Sequence, residues 1–295
     1  MILMVSGRTD IVAFYSDWFY KRYKEGFVDV RNPFNKKLVS RINFEDVDII
    51  MFCTKNPHPV LSYIKEIKQP IIFHITLTPY LKDIEPNVPN KKEVIEDIKE
   101  LSRILGKENV VVRYDPILLN DKYNVDYHTK MFDRVCENLD GYIETIIVSF
   151  IDDYKNVRNN MKELKYRDLE EDDYKTIGEK FALSAQNHNM KVQTCFEERN
   201  LVEFGFVKGD CLSPQTAYQL TGKKFPAWKA RKGGLCSCVQ MVDIGEYNTC
   251  SHFCKYCYAN YDEKEVLNNK KLHNPNSSLL IGEIESDDII KIRKK

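Results

Sequence analysis

The sequence lacks any apolar run near the roughly 20 residues that a membrane-spanning helix needs, so no membrane association is expected. It also lacks net charge: Lys+Arg and Asp+Glu are 44 each. No global basic field is therefore present to recruit nucleic acid or anionic lipid, although local patches stay open. No basic segment and small-residue cleavage site precede Arg8 and Asp10, so the start reads as a short strand and a cytoplasmic location is expected. No strand-like run is followed by a glycine-rich phosphate loop, which removes the main support for a nucleotide-binding sheet. Internal repeats, low-complexity tracts and clear linkers are also missing. What remains is 295 residues, 43% apolar and 30% charged. That composition provides a core and a wet surface, and excludes a disordered, collagen-like or small disulfide-stapled chain.

Short apolar runs alternate with amphipathic stretches. Residues 2–5, 47–53, 71–77, 110–114, 145–150, 191–195 and 239–244 read as seven core strands. Residues 10–25, 91–105, 128–139 and 172–188 carry the helical period, and a further helix is predicted over 258–267. In the first helix Ile11, Phe14, Tyr15, Trp18 and Phe19 share a face, Thr9 or Asp10 caps the start and Gly26 ends it. Residues 27–31 and 39–42 flank Asn32-Pro33 and predict a hairpin; the tail to Lys295 is polar and weakly patterned. Alternation of strand and helix implies parallel pairing. The expected fold class is α/β, a complete or partial TIM-like barrel, with a doubly wound open sheet as the alternative. Residues 1–195 would form the barrel core, and 196–295 a cysteine-rich part completing it within one integrated domain.

In a parallel barrel the loops leaving the C-terminal strand ends converge on one face. That rule selects Arg8, Thr9 and Asp10; Lys55 and Asn56; Thr76 and Thr78; Arg113 and Asp115; Ser149 and Asp152; and Glu197. Helix capping and loop ion pairs are the plainer explanation for several of them. Arg8, Asp10, Arg113 and Asp115 are the catalytic candidates.

Nine cysteines are unevenly placed. Cys53 on an apolar strand and Cys136 on an apolar helix face read as core residues. His74 reads as a strand histidine and His128 as a surface one. The other seven cysteines crowd the C-terminal third. An odd total without a secretion signal argues against a disulfide framework, and clustered thiols in a reducing compartment bind metal. Residues 250–258 read Cys-Ser-His-Phe-Cys-Lys-Tyr-Cys-Tyr, a C-x3-C-x2-C spacing short enough to fold three thiolates around one small cluster. A four-iron cubane with three cysteines keeps one iron open, by the logic that separates catalytic from structural zinc. Zinc with His252 as fourth ligand is the competing possibility.

Cys250, Cys254 and Cys257, with Tyr256 in the aromatic position, resemble the C-x3-C-x-aromatic-C signature of the radical SAM superfamily. The flanking Tyr247-Asn248-Thr249 and Tyr258-Ala259-Asn260 are similar to the cluster loop of its spore photoproduct lyase and DNA-repair-photolyase-like branch. Ser6, Arg8, Thr9 and Asp10, then Thr54-Lys55-Asn56-Pro57 and Arg113-Tyr114-Asp115-Pro116, resemble an uncharacterised bacterial family of unknown function. The superfamily resemblance implies a [4Fe-4S] cluster on the three cysteines, with S-adenosylmethionine (SAM) chelated at the open iron. Reductive cleavage would release a 5′-deoxyadenosyl radical that abstracts hydrogen from an unknown substrate. Tyr256, Ser6, Thr9, Lys55 and Asn56 would bind cofactor, Tyr256 near the adenine. A reductant protein such as flavodoxin or ferredoxin would be the partner. The superfamily carries this loop after its first strand, whereas here it follows the last. A circular permutation would restore it beside the strand ending at Arg8.

Cys195, Cys211, Cys236 and Cys238 remain, enough for a second [4Fe-4S] cluster or a zinc ion, with ordinary or redox thiols as the bland reading. Residues 223–232 interleave Lys and Arg with Phe225 and Trp228, a pattern that grips single-stranded nucleic acid or simply lines a solvated loop. Two other functions therefore stand beside the radical enzyme: a nucleic-acid base-repair or modifying member of the same superfamily, and a non-catalytic zinc or iron–sulfur sensor.

Overall fold

The computed structural model describes residues 1–159, 161–228 and 237–294. The strands are β1 (Ile2–Val5), β2 (Phe27–Arg31), β3 (Leu38–Asn43), β4 (Ile49–Thr54), β5 (Ile71–Thr76), β6 (Val110–Ile117), β7 (Thr145–Phe150), β8 (Lys191–Thr194), β9 (Met241–Asp243) and β10 (Ile289–Ile292). The helices are α1 (Ile11–Phe14), α2 (Ser16–Glu25), α3 (Lys91–Leu105), α4 (Val125–Leu139), α5 (Lys155–Asn159), α6 (Met161–Leu164), α7 (Glu171–Asn187), α8 (Pro214–Thr221) and α9 (Glu263–Leu272).

Seven strands build one sheet in the order β8-β7-β6-β5-β4-β1-β9, and every neighbouring pair is parallel. From β1 to β8 the sheet advances in chain order without reversal. The seventh strand, β9, returns to the free side of β1, so residues beyond 195 share the sheet of those before it.

Side chains alternate between the two faces of a strand. Leu3, Val5, Ile50, Phe52, Phe73, Ile75, Val112, Tyr114, Ile146 and Val148 face the helices and pack with Trp18, Phe19, Ile98, Phe132 and Phe181. The stacked Phe52–Phe73 and Phe132–Phe181 pairs, with centroids 5.0 and 3.8 Å apart, tie this layer together; truncating such a ring to alanine costs about 3–5 kcal/mol. The other face carries Ile2, Ile49, Met51 and Ile72. Leu212, Ala217 and Val239, from the segment after β8, cover it.

The caps follow the sequence. Asn90 and Asn124 accept from the first turns of α3 and α4, and Glu170 and Asp173 form a capping box on α7.

Four expectations need correcting. The helix expected over 10–25 breaks at Tyr15, whose backbone leaves the helical region while its hydroxyl donates to Thr249 O at 2.7 Å. The helix expected over 258–267 is α9 instead, because the Asp262 carboxylate caps Lys264 and Glu265 N–H. The tail is not featureless: β10 adds parallel to β3, beside the antiparallel β2–β3 hairpin. Its Ile-Ile-Lys-Ile run has no strict alternation to reveal a strand. His128 is buried rather than superficial, because Leu118 O at 2.9 Å and Tyr114 Oη at 3.1 Å engage its two ring nitrogens.

Candidate functional site

The three-cysteine loop follows β9 and lies against the C-terminal ends of β1, β4 and β5. Thr249 Oγ1 donates to Thr9 Oγ1 at 2.6 Å. Asn87 Nδ2 donates to Ser251 O at 2.9 Å, and Lys255 N to Ile84 O at 3.0 Å. Within the loop, Asn260 Nδ2 closes onto Cys250 O at 2.7 Å, and Ala259 N donates to Cys257 Sγ at 3.3 Å. Cys250 and Cys254 are buried, Cys257 half-buried. Burial pushes all three thiols up; for Cys250 the nearby charge of Asp10, Cys257 and Cys254 adds to it. Lys55 opposes the rise at Cys254 and Cys257.

Asp10 ties the loop to the sheet. Its Oδ1 accepts from Ala13 N at 3.0 Å and Thr54 Oγ1 at 2.7 Å. Its Oδ2 accepts from Lys55 N at 2.8 Å and faces His252 Nε2 at 3.0 Å. Four partners occupy one carboxylate, so the geometry gives Asp10 a positioning role. His252 is equally committed, with Nδ1 3.2 Å from Asn87 O. The two other cofactor candidates on this turn also serve the backbone or the loop: Ser6 Oγ accepts from Ile11 N at 2.8 Å, and Thr9 meets Thr249.

Behind the loop lies a buried charge cluster. Glu85 Oε1 meets Lys55 Nζ at 2.8 Å and Thr78 Oγ1 at 2.6 Å, and Glu85 also bonds Lys91 Nζ and the Tyr256 hydroxyl. Burial alone would raise the Glu85 carboxyl, but Lys55 and Lys91 outweigh it and hold the group at about 2. Lys55 Nζ sits 5.3 Å from the centroid of the Tyr256 ring, within cation–π range.

Arg8 pairs with Asp243 at the end of β9, Nε to Oδ2 at 2.7 Å; Gly7 N and Gly245 N bind the same carboxylate. Arg113 grips Asp115 through Nε at 2.9 Å and Nη2 at 2.6 Å, and its Nη1 reaches Cys211 Sγ at 3.2 Å. Burial acts to raise Asp115, but Arg113 and the Ser149 hydroxyl hold it low. Glu197 accepts from Phe150 N at 2.9 Å. Burial, then the charges of Asp152, Asp115 and Cys195, raise it to about 8 against that bond.

Of the second cysteine set, Cys195 and Cys211 stand with Sγ atoms 2.9 Å apart, and the Cys211 thiol also hydrogen-bonds Cys238. Cys236 lies outside the described residues, as do Lys229, Arg231 and Lys232 of the basic run. Lys223 of that run is paired with Asp48. Asn56 lines an outer cleft of about 590 Å³ with His58 and Glu93. A second cleft of about 640 Å³ opens between Tyr80, Glu85, Lys91 and Lys122. Among the described residues, no group of three or more His, Cys, Asp or Glu side chains is arranged to hold a single metal ion.

Sequence reasoning missed Glu85, Lys91 and Asp243. Asp243 was reachable, since it lies one residue before the end of the strand predicted over 239–244 and ends β9 itself. Glu85 sits in an irregular stretch before α3 where no periodicity marks it.

The molecule is thus an α/β protein whose seven-stranded parallel sheet bears a buried three-thiol loop at its C-terminal edge. The chain belongs to the family described as Domain of unknown function (DUF1848), whose model matches residues 2–259. No curated protein and no solved structure matches it.

Proposed function

We propose that this protein is a radical SAM-type enzyme, with Cys250, Cys254 and Cys257 holding a [4Fe-4S] cluster. One observation carries the reading: the loop offers three thiols and withholds a fourth donor. His252 is the residue placed to complete a four-ligand zinc site, and both its ring nitrogens are engaged elsewhere, by Asp10 and Asn87 O. A set of three soft thiolates with no fourth protein ligand suits a cubane with one exchangeable corner, and does not suit a closed structural zinc.

Such a cluster, when bound, supplies the electron that cleaves SAM reductively. The chain's own groups bind and orient. Lys55 offsets the thiolate charge, Asp10 fixes the loop on the sheet, and the Tyr256 ring stays in place through Glu85. The turn 6–10, joined to the loop through Thr9 and Thr249, is the place for the amino-acid end of SAM. Arg113 and Asp115 supply charge, and Glu197, raised to about 8, a protonated carboxyl, to a wall for substrate at the strand ends.

The sheet itself we read as a partial barrel, open between β8 and β9, whose loop-bearing strand comes last in the chain. The strand order, which runs from β1 to β8 without the reversal of a doubly wound sheet, supports this.

The test is anaerobic purification, reconstitution with iron and sulfide, and addition of SAM with a reductant. Release of 5′-deoxyadenosine that disappears in Cys254→Ala is the expected result. Stoichiometric zinc, or a reconstituted cluster that leaves SAM intact, overturns the proposal.

A further inference from the structure

Among the described thiols outside the loop, Cys53, Cys195, Cys211 and Cys238 lie on the face of the sheet opposite α2, α3, α4 and α7, while Cys136 packs in the helix-side core. In the β4–β5 register Cys53 pairs with His74, and in β5–β6 His74 pairs with Val111. Arg113 lies two residues beyond Val111, so Cys53, His74 and Arg113 point to one face. Cys195 continues the β8 ladder, donating N–H to Val148 O at 3.1 Å, and falls on the same face as Gln193. Cys211 and Cys238 arrive from the covering segment, where Val239 N donates to Leu212 O at 3.0 Å and sets the two cysteines side by side. Three stretches far apart in the chain thus deliver three thiols to one place.

Thiols are weak donors and weak acceptors, yet Cys211 is in contact with Cys195, Cys238 and the Arg113 guanidinium together. Arg113 is an electropositive neighbour of the kind that favours thiolate.

A second, independent observation comes from His74. It is 0% exposed, and neither ring nitrogen has a hydrogen-bond partner. The Cys211 backbone lies close to the ring but short of hydrogen-bond geometry, with the Arg113 charge beside it. A buried polar group left unpaired costs about 1–3 kcal/mol. A neutral imidazole beside the Cys211 backbone, on the sheet face that also carries Arg113 and Cys195, is, however, a nitrogen ligand suited to a soft metal.

We propose that Cys195, Cys211, Cys238 and His74 form a second thiophilic metal centre, distinct from the 250–257 loop. The thiols and His74 do not enclose an ion as they stand; binding draws them together by side-chain rotation, and each S–H gives its proton to solvent as its sulfur forms a metal–thiolate bond. Zinc and an iron–sulfur cluster share this donor chemistry. A Cys195–Cys211 disulfide accounts for one thiol pair, and leaves the unpaired ring of His74 unexplained. The proposal does not depend on the reading of the loop.

The test uses the full chain with all three loop cysteines changed to alanine, purified anaerobically under reducing conditions. It is offered Co2+ or Zn2+ alone in one arm, and iron with sulfide in the other. One equivalent of divalent metal with thiolate-to-cobalt charge-transfer absorption, or one cluster's worth of iron and sulfide, supports the centre and identifies its metal. His74→Ala should weaken binding at least about tenfold, as loss of groups at metal sites commonly does. Cys211→Ser and Cys238→Ser, each checked for native circular dichroism, should abolish it. Failure of the loop-less variant to bind in either arm overturns the proposal, as does full binding in folded Cys211→Ser. Because the loop thiols are already gone, the result is independent of whether the protein cleaves SAM.

Discussion

His252 Nε2 stands 3.0 Å from Asp10 Oδ2, across 242 residues of sequence. This contact joins the three-cysteine loop to the turn after β1, and it occupies the histidine nitrogen that would otherwise be free to ligate. Asp10→Asn keeps the shape but replaces an acceptor oxygen with a donor amide. Whichever way the amide turns, it meets a donor it cannot accept from. A buried mismatch of this kind costs about 1–3 kcal/mol. The expected outcome is a lower urea midpoint and a reduced iron yield on reconstitution. Unchanged stability and iron content would show that the clamp is dispensable.

Glu85 carries a pH prediction. Its folded carboxyl lies at about 2 against an ordinary 4.5, so the unfolded chain binds more protons between those values. Stability from this group is therefore full above about 4.5 and drains away as pH falls toward 2. Glu85→Gln should flatten that acid limb. Glu85→Ala leaves Lys55 and Lys91 facing each other unpaired, and breaking a buried ion pair in this way costs about 3–5 kcal/mol. Denaturation series at pH 7 and pH 3 measure both effects; parallel curves for wild type and Glu85→Gln would contradict the assignment.

Gly7 and Gly26 make a matched pair. A Cβ on Gly7 would meet Asp243 Cγ at 2.8 Å and push away the carboxylate that holds Arg8. Gly26, at φ +88°, has open space around its Cβ position and only backbone strain to bear. Gly7→Ala is expected to cost about 1–3 kcal/mol from crowding and to lower SAM affinity through the displaced turn. Gly26→Ala should cost about 1–2 kcal/mol with affinity unchanged. Chemical denaturation with equilibrium SAM binding separates the two.

Arg31 and Asp288 hold β10 on β3, with Nη1–Oδ1 at 2.5 Å and Nη2–Oδ2 at 2.8 Å. The Arg31 hydrogen bond lowers the Asp288 carboxyl to about 2. Its contribution is present above the ordinary 3.8 and fades as pH falls from there. In Asp288→Ala, the Ile289 and Arg293 amides, which donate to Lys37 O and Arg41 O, should exchange faster. Amides between β1 and β9 should keep their protection. Equal acceleration throughout would mean that β10 supports the whole fold.

Much of the scaffold was legible. Buried parallel strands write themselves as apolar runs, so β4, β5, β7 and β8 lay within two residues of their expected ends. Periodicity located α3 and α7 because each hides one stripe. Tyr15, Asp262 and β10 were illegible for a shared reason: a hydrogen bond to a distant segment or a local cap decides each, and neither leaves a periodic mark.

By itself, the sequence determined a chain that alternates strand with helix and carries a compact C-x3-C-x2-C trio, because spacing along the backbone sets both. Only the tertiary structure decided that His252 is unavailable, that Glu85 sits between two lysines, and that Cys195, Cys211 and Cys238 meet beside an unpartnered His74. Those facts depend on residues far apart in the chain reaching one strand end or one sheet face, and separation along the chain carries no information about that distance.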